Sequence, residues 1–221
     1  MSDEREEELQ NVQREVQRAV ESSEDIQQTV RDITLKALTE GEFDTRRIRA
    51  VAEAVMRGAG DALSAESSQM KASFGEAAQG LEEALIKAAD AFRLAIEEAA
   101  GRVTEFNSSE LKRSVDDLGS LEDIFMETLQ RTAQNSGETV RVIMDDLATH
   151  ARNSGTSVGR HVAENLETLQ NRLHELGLDS VQAGQEVADR IGKIARGILA
   201  GVGETLLTMA EGGKGQGRDK P

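Results

Sequence analysis

The feature that most constrains this fold is a repeat of apolar or small residues at alternating steps of three and four. It first occupies Leu9, Val12, Val16, Ala19, Ser23, Ile26, Val30, Ile33 and Ala37. This spacing places one stripe along one side of an α-helix and is the contact pattern of coiled coils. It predicts a first helix from about Asp3 to Leu38, in which Ser23 interrupts the seam and weakens it locally.

The same pattern recurs along most of the chain. The Ala-rich middle carries it at Phe74, Ala78, Leu81, Leu85, Ala88, Phe92, Ala95 and Ala99, and a later seam extends from Ala133 to Leu176. Proline, the residue that most readily breaks helices, occurs once, at Pro221. We therefore predict an all-α fold of long amphipathic helices, packed as an antiparallel bundle or as coiled-coil-like hairpins.

Breaks between the seams predict the segments of the chain. Gly41 suits a helix C-terminus and Asp44 suits an N-cap, and a second break with a cap lies at Gly177-Leu-Asp-Ser180. Gly119-Ser120 is a candidate bend. The predicted segments are an acidic amino-terminal helix over residues 1–40, a central helical bundle over 41–176, a Gly/Ile-rich helix over 177–210 and a disordered tail over 211–221.

A short internal repeat leaves two alternatives open. Asn135-Ser-Gly137 returns as Asn153-Ser-Gly155, eighteen residues later, which corresponds to five helical turns. Each copy is either a turn or helix interior. Since the later seam passes through both copies in phase, the spacing favours an unbroken helix.

The composition limits both the core and the partners. Five Phe and no Trp, Tyr or Cys leave the packing to aliphatic residues and exclude disulfides and thiolate metal sites. The net charge is −15, and residues 191–221 carry five Lys/Arg against three Asp/Glu, which leaves −17 for residues 1–190. A body this acidic repels phosphate backbones, so we expect no nucleic-acid partner. The acidic amino terminus and the lack of a long uncharged apolar window predict a cytoplasmic protein.

The candidate chemical motifs favour structural roles. Gly155-Thr-Ser157-Val-Gly159 matches the G-x-S-x-G pattern, with His161 close by, but a nucleophile elbow needs a strand before the serine and the preceding residues look helical. His150 and His161 have no third ligand at a suitable spacing. The Glu pairs lack the Glu-x-x-His pattern of di-metal helices. We therefore predict no catalytic residue, no cofactor, no metal site and no enzyme activity.

The most distinctive segment lies between residues 191 and 209, which is apolar and net basic. Gly197-x-x-x-Gly201 within it permits close helix approach. One interpretation is an interfacial helix on a lipid or polymer surface. The other is a helix packed into its own bundle or into an oligomer interface. The candidate interaction residues are Ile191, Ile194, Gly197, Ile198, Gly201, Val202 and Leu206.

The Gly41-Glu-Phe-Asp44 break, the Ala-rich middle and the Gly197-Ile-Leu-Ala-Gly201 ending resemble an uncharacterised family of bacterial helical proteins. The amphipathic, Ala-rich helices are also broadly similar to phasins, which coat polyhydroxyalkanoate granules. Neither resemblance implies an active site. The phasin resemblance implies a role as a granule coat.

These observations together predict a non-enzymatic structural or interaction protein that self-associates, with coating of a granule surface as one role. The seams carry the self-association, because each amphipathic helix needs a partner surface in its own chain or in another copy. The alternative is a peripheral protein that binds a membrane or lipid surface through residues 191–209.

Overall fold

The computed structural model describes residues 2–22, 24–40, 43–62, 68–101, 108–135, 137–175 and 194–200. These residues form helices joined by turns, with no strand among them, which confirms the all-α prediction. The helices are α1 (Ser2–Ser22), α2 (Ile26–Thr39), α3 (Thr45–Asp61), α4 (Ser68–Gly101), α5 (Ser108–Gly119), α6 (Leu121–Asn135), α7 (Glu138–Ser154) and α8 (Ser157–Glu175), and residues 194–200 are also helical.

The first predicted helix is two helices, so the prediction of one helix from Asp3 to Leu38 was wrong, and the chain breaks next to Ser23, where the seam was expected to be weak. The Asp25 carboxylate accepts the backbone N–H of Gln28 at 3.0 Å and caps the start of α2. Such a cap satisfies an N–H that has no partner inside the helix. The break allows α1 to pack on α3 while α2 packs on α4. The seam still faces the core, and its buried members are Val12, Val16, Ala19, Ile26, Val30 and Ala37.

The predicted cap at Asp44 is confirmed. Its carboxylate accepts the backbone N–H of Arg47 at 2.7 Å and begins α3. Phe43, just before the cap, is buried, and its ring lies 4.8 Å from the ring of Phe92 on α4. The entry to α3 is thus fixed both by a polar cap and by an aromatic contact.

The contacts between helices give their relative directions. Gln27 near the start of α2 donates a hydrogen bond to Glu83 of α4, and Phe43, which follows α2, contacts Phe92 further along α4. Later residues of one segment thus contact later residues of the other, so α2 and α4 run parallel. Similar pairs show that α4 and α8 run parallel, as do α1 with α3 and α3 with α6. Because α6 and α8 run antiparallel, α1, α3 and α6 oppose α2, α4 and α8.

Two glycines let helices approach to backbone contact. A Cβ on Gly58 of α3 would lie far inside contact distance of the Gln13 carbonyl oxygen on α1. A Cβ on Gly80 of α4 would meet the Gln27 carbonyl oxygen and the Arg31 backbone nitrogen on α2 in the same way. Small residues at crossings bring the axes close, and this accounts for the extensive α1–α3 and α2–α4 interfaces.

The core is one cluster of buried apolar side chains, mostly aliphatic, that extends from Val12 to Leu199. The predicted Ala-rich seam of α4 is fully part of it, because every one of its residues from Phe74 to Ala99 is buried. A helix boundary lies at the bend predicted near Gly119. Ser120 separates α5 from α6, and its backbone N–H donates to the carbonyl oxygens of Asp116 and Asp117.

Both Asn-Ser-Gly copies lie at helix boundaries, so the favoured prediction of an unbroken helix through them was wrong. Gly137 is the N-cap of α7, with extended backbone (φ −64°, ψ 169°). Gly155 ends α7 with φ +74°, a conformation that glycine adopts without steric strain. After Gly155, the Thr156 hydroxyl caps the next helix and so competes with helix continuation, whereas Gly137 makes no side-chain cap bond. The phase of the seam reports neither boundary.

Several predicted features lie outside the described residues. They are the break at Gly177-Leu-Asp-Ser180, the tail over residues 211–221 and most of the Gly/Ile-rich helix expected over residues 177–210. The four-segment division of the chain therefore stays a prediction.

Candidate functional site

Polar side chains from three helices meet where α8 begins. The Thr156 hydroxyl accepts the backbone N–H of Gly159 at 2.7 Å, so it caps the first turn of α8. The same hydroxyl donates to the Glu122 carboxylate on α6 at 3.0 Å. Thr156 is only 4% exposed, which makes these bonds part of the packed interface.

A second carboxylate reaches the same helix end from α4. Glu82 accepts the backbone N–H of Ser157 at 2.7 Å. Two carboxylates therefore lie at the N-terminus of α8, where the unpaired N–H groups and the helix dipole favour negative charge. The arrangement joins α4, α6 and α8 through one helix end.

Gly159 is the residue that admits Glu122. A Cβ at this position would overlap the carboxyl group of Glu122. The glycine of the G-x-S-x-G pattern thus makes room for an interhelix carboxylate. Since the residues before Ser157 form helix α7 up to Ser154, the strand that a nucleophile elbow requires is replaced here by a helix.

One and two turns further along α8, polar contacts with α4 continue. His161 Nε2 lies 2.7 Å from Asp90 Oδ1, and its Nδ1 lies 3.7 Å from Glu164 Oε2. Asn165, only 6% exposed, donates to the same Asp90 oxygen at 3.4 Å. We call the whole set the α8 polar seam, and its members are Glu82, Asp90, Glu122, Thr156, Ser157, Gly159, His161 and Asn165.

Charged side chains also join α1, α3 and α6. Arg47, with its side chain 9% exposed, contacts Glu8 of α1 at 3.1 Å and donates to the Ala37 carbonyl oxygen at the end of α2, also at 3.1 Å. Arg49 and Arg131 pair with acidic residues across the α3–α6 interface. The Arg47 guanidinium at the last turn of α2 complements the dipole of that helix. Together, these charged contacts connect α1, α2, α3 and α6.

A shallow groove of about 350 Å³ opens between α1 and α3. Its lining combines apolar residues such as Leu9 and Ala54 with the charged residues Glu6, Glu53 and Arg57. The mixed charge of this lining does not single out one class of ligand.

The predicted interaction segment is described only over residues 194–200. Ile194 and Ile198 are half-buried and pack against the core, whereas Gly197 is exposed, with no heavy atom within 4 Å of an added Cβ. Ala195 and Leu199, which the predicted stripe did not include, are fully buried. The other predicted residues, Ile191, Gly201, Val202 and Leu206, lie outside the described residues.

Sequence reasoning found part of the α8 polar seam but missed its partners. The pattern drew attention to Ser157 and His161, but it contained no sign of Asp90 or Glu122 as their neighbours. Those contacts join residues 34 to 75 positions apart, and no local period encodes such a distance. The cap at Thr156 had a local signal, a threonine two residues before the apolar seam residue Val158.

Two properties of the described residues concern metals and membranes. Within them, no group of three or more His, Asp or Glu side chains is placed to hold a metal ion. None of the helices they form combines the length and the apolar character that crossing a bilayer requires.

The fold and the α8 polar seam define an all-α bundle in which part-buried polar groups join the helices. The chain matches the model of a family of unknown function (DUF6781) over residues 2–208, and it belongs to that family. The expected membership of an uncharacterised family is thereby confirmed. No curated protein and no solved structure matches the chain.

Proposed function

We propose that this protein is a non-enzymatic structural or interaction protein that acts through self-association. The observation that supports it best is that the side chains of the α8 polar seam connect helices to one another. Glu82, Asp90 and Glu122 accept hydrogen bonds from α8 and so hold helices together. These carboxylates, a type of side chain that also serves reactive sites, thus have a structural role, as expected of a scaffold protein.

The contact surface in this proposal is the segment over residues 191–209. Within its described part, residues 194–200, Ala195 and Leu199 are buried in the bundle, while Gly197 is exposed beside open space. A glycine on an outward helix face lets a second helix approach closely. Coating of a granule, the role implied by the resemblance to phasins, is the finer form of this proposal.

Substitution of Gly197 by leucine tests the proposal. The open space around Gly197 accommodates the side chain within one chain, so folding is preserved, whereas close approach by a second copy is blocked. We expect the mass from light scattering to fall towards that of one chain. Gly75→Leu is the matched control, because Gly75 also has no heavy atom within 4 Å of an added Cβ. A monomeric wild-type protein would contradict self-association.

A second candidate function is binding to a lipid or polymer surface through the same segment. Its support is the net positive charge of residues 191–209 in an otherwise acidic chain, with Lys193 and Arg196 beside an apolar stripe. Flotation with liposomes or polymer granules tests it. We expect Ile198→Asp and Val202→Asp to remove the bound fraction, and Leu94→Asp, at an exposed position on α4, to retain it.

Gly197→Leu separates the two candidates. Added apolar area strengthens binding to a lipid surface, whereas it obstructs the approach of a second helix. Increased flotation with this variant favours the surface binder, and loss of the oligomer without flotation of the wild type favours the self-associating protein.

A further inference from the structure

The contact between α1 and α3 combines a backbone approach with a side-chain hydrogen bond. The carbonyl oxygen of Gln13 occupies the space that a side chain at Gly58 would fill. The side-chain amide of the same glutamine donates to the Asp61 carboxylate at 2.6 Å. Gly58 and Asp61 are neighbours on one face of α3, because they lie three residues apart. We call this combination a glutamine clasp.

The sequence of α1 repeats the residues that form the glutamine clasp. Gln13-x-x-Val16 is followed, four residues later, by Gln17-x-x-Val20. A shift of α1 by four residues, about 6 Å along its axis, would therefore place Gln17 against Gly58. The clasp would form again with the second glutamine.

The same shift preserves the apolar core of α1. Val12 and Val16 are buried, and Val20 packs against the core, so the shift replaces two valines with two valines. A shift in the opposite direction would bring Glu8 to the position of Val12 and place a carboxylate in the core, which is strongly unfavourable. The chain therefore offers α1 one alternative register on α3.

The contact between α2 and α4 shows a register that has no such alternative. The Gln27 carbonyl oxygen fills the space beside Gly80, and its amide donates to Glu83 at 2.6 Å, so the glutamine clasp is the same. Four residues later, however, α2 carries Arg31 and Thr34, which do not repeat the pattern. The sequence of α2 itself thus excludes a shift by one turn, whereas the sequence of α1 does not.

A charged pair distinguishes the two registers of α1. The Arg47 guanidinium contacts the Glu8 carboxylate at 3.1 Å, and the arginine side chain is only 9% exposed. Among the described residues, its Nε has no hydrogen-bond partner. In the shifted register Val12 would take the place of Glu8 and leave a largely buried cation without its counter-charge, which is strongly destabilising.

We propose that the Glu8–Arg47 pair selects the register of α1 on α3, against a second register one helical turn away that the clasp and the core also accept. A single polar contact among apolar residues has this role in coiled coils. The clasp cannot supply the selection, because Gln13 and Gln17 satisfy it equally. This inference concerns the fold of one chain and does not depend on self-association.

Moving the acid by one turn tests the proposal. In Glu8→Val with Val12→Glu, the observed register buries a carboxylate in the core, whereas the shifted register places it beside Arg47. The protein has no cysteine, so spin labels on Arg18→Cys and Arg46→Cys, both at exposed positions, report the register. Because α1 moves towards its amino terminus, we expect the distance between the labels, measured by pulsed electron paramagnetic resonance, to shorten by about 5 Å.

Glu7→Val with Asn11→Glu is the matched control, because it moves an acid by one turn between two exposed positions of α1. The distance between the labels should stay that of the wild type. An unchanged distance in folded Glu8→Val with Val12→Glu, or the same shortening in the control, overturns the proposal.

A second variant keeps the test decisive if the first fails to fold. Gln13→Leu with Arg47→Met places no charge in the core. It removes the selecting cation and the hydrogen bond to Asp61, and in the shifted register it supplies an apolar side chain at the half-buried position of Leu9. We expect a population with the shorter distance between the labels. The wild-type distance alone overturns the proposal.

Discussion

The α1–α4 half of the molecule and the attachment of α8 are held together by different kinds of contact. In the first, apolar side chains fill the seams, and Gly58 and Gly80 bring backbones into direct contact. In the second, the described residues of α8 bury the side chains of Val158, Val162 and Leu169, and carboxylates on α4 and α6 complete the interface. Apolar contacts resist local opening more than hydrogen bonds that water can replace. The α8 attachment is therefore expected to open first.

Phe92→Ala should have the largest effect on this comparison. Phe92 is 2% exposed and contacts the ring of Phe43, so its truncation leaves a cavity in the apolar half. We expect a loss of about 4 kcal/mol in the free energy of unfolding, measured by urea denaturation followed by circular dichroism. Leu94→Ala, two residues away on the exposed side of α4, should cost less than about 0.5 kcal/mol. Similar losses for both would contradict the burial of Phe92.

Gly58→Ala tests the backbone contact between α1 and α3. The added methyl group would overlap the Gln13 carbonyl oxygen, which belongs to a helix and cannot rotate away. We expect α1 to shift and the free energy of unfolding to fall by about 2 kcal/mol. Gly75→Ala, at an open position of α4, should raise it by about 0.5–1 kcal/mol. A stabilising Gly58→Ala substitution would show that α1 does not cross α3 at this point.

The same contrast explains which parts of the structure the sequence predicts. The period of apolar residues along a helix reports which side of the helix is buried, and a cap is a short local motif. The seam of α4 and the cap at Asp44 were therefore both predicted correctly. The break at Asp25 and the boundary at Gly155 were not, because the seam keeps its phase across both. A periodic pattern records which residues face the core and carries no information about whether the helix axis continues.

The α8 polar seam was beyond sequence reasoning for a related reason. Glu82 and Glu122 look like ordinary solvated carboxylates along their own helices, and their roles arise only when α8 lies between α4 and α6. The need for glycine at position 159 becomes evident only from Glu122, whose carboxyl group occupies the space that a side chain at this position would fill. Contacts of this kind depend on tertiary geometry, which propensities and caps do not specify.

Thr156→Val should have the smallest effect and gives the sharpest test of the comparison. Valine preserves the shape of threonine but removes the hydroxyl that caps α8 and bonds Glu122, so we expect a loss of about 1 kcal/mol. Hydrogen exchange should quicken in the first turns of α8 and stay unchanged in α3, because the loss is confined to the polar attachment. Thr168→Val, at an exposed position where the hydroxyl bonds its own helix, is the control and should change neither. Equal acceleration in α3 and α8 would mean that α8 opens only when the whole bundle unfolds, and the two halves would then form one cooperative unit.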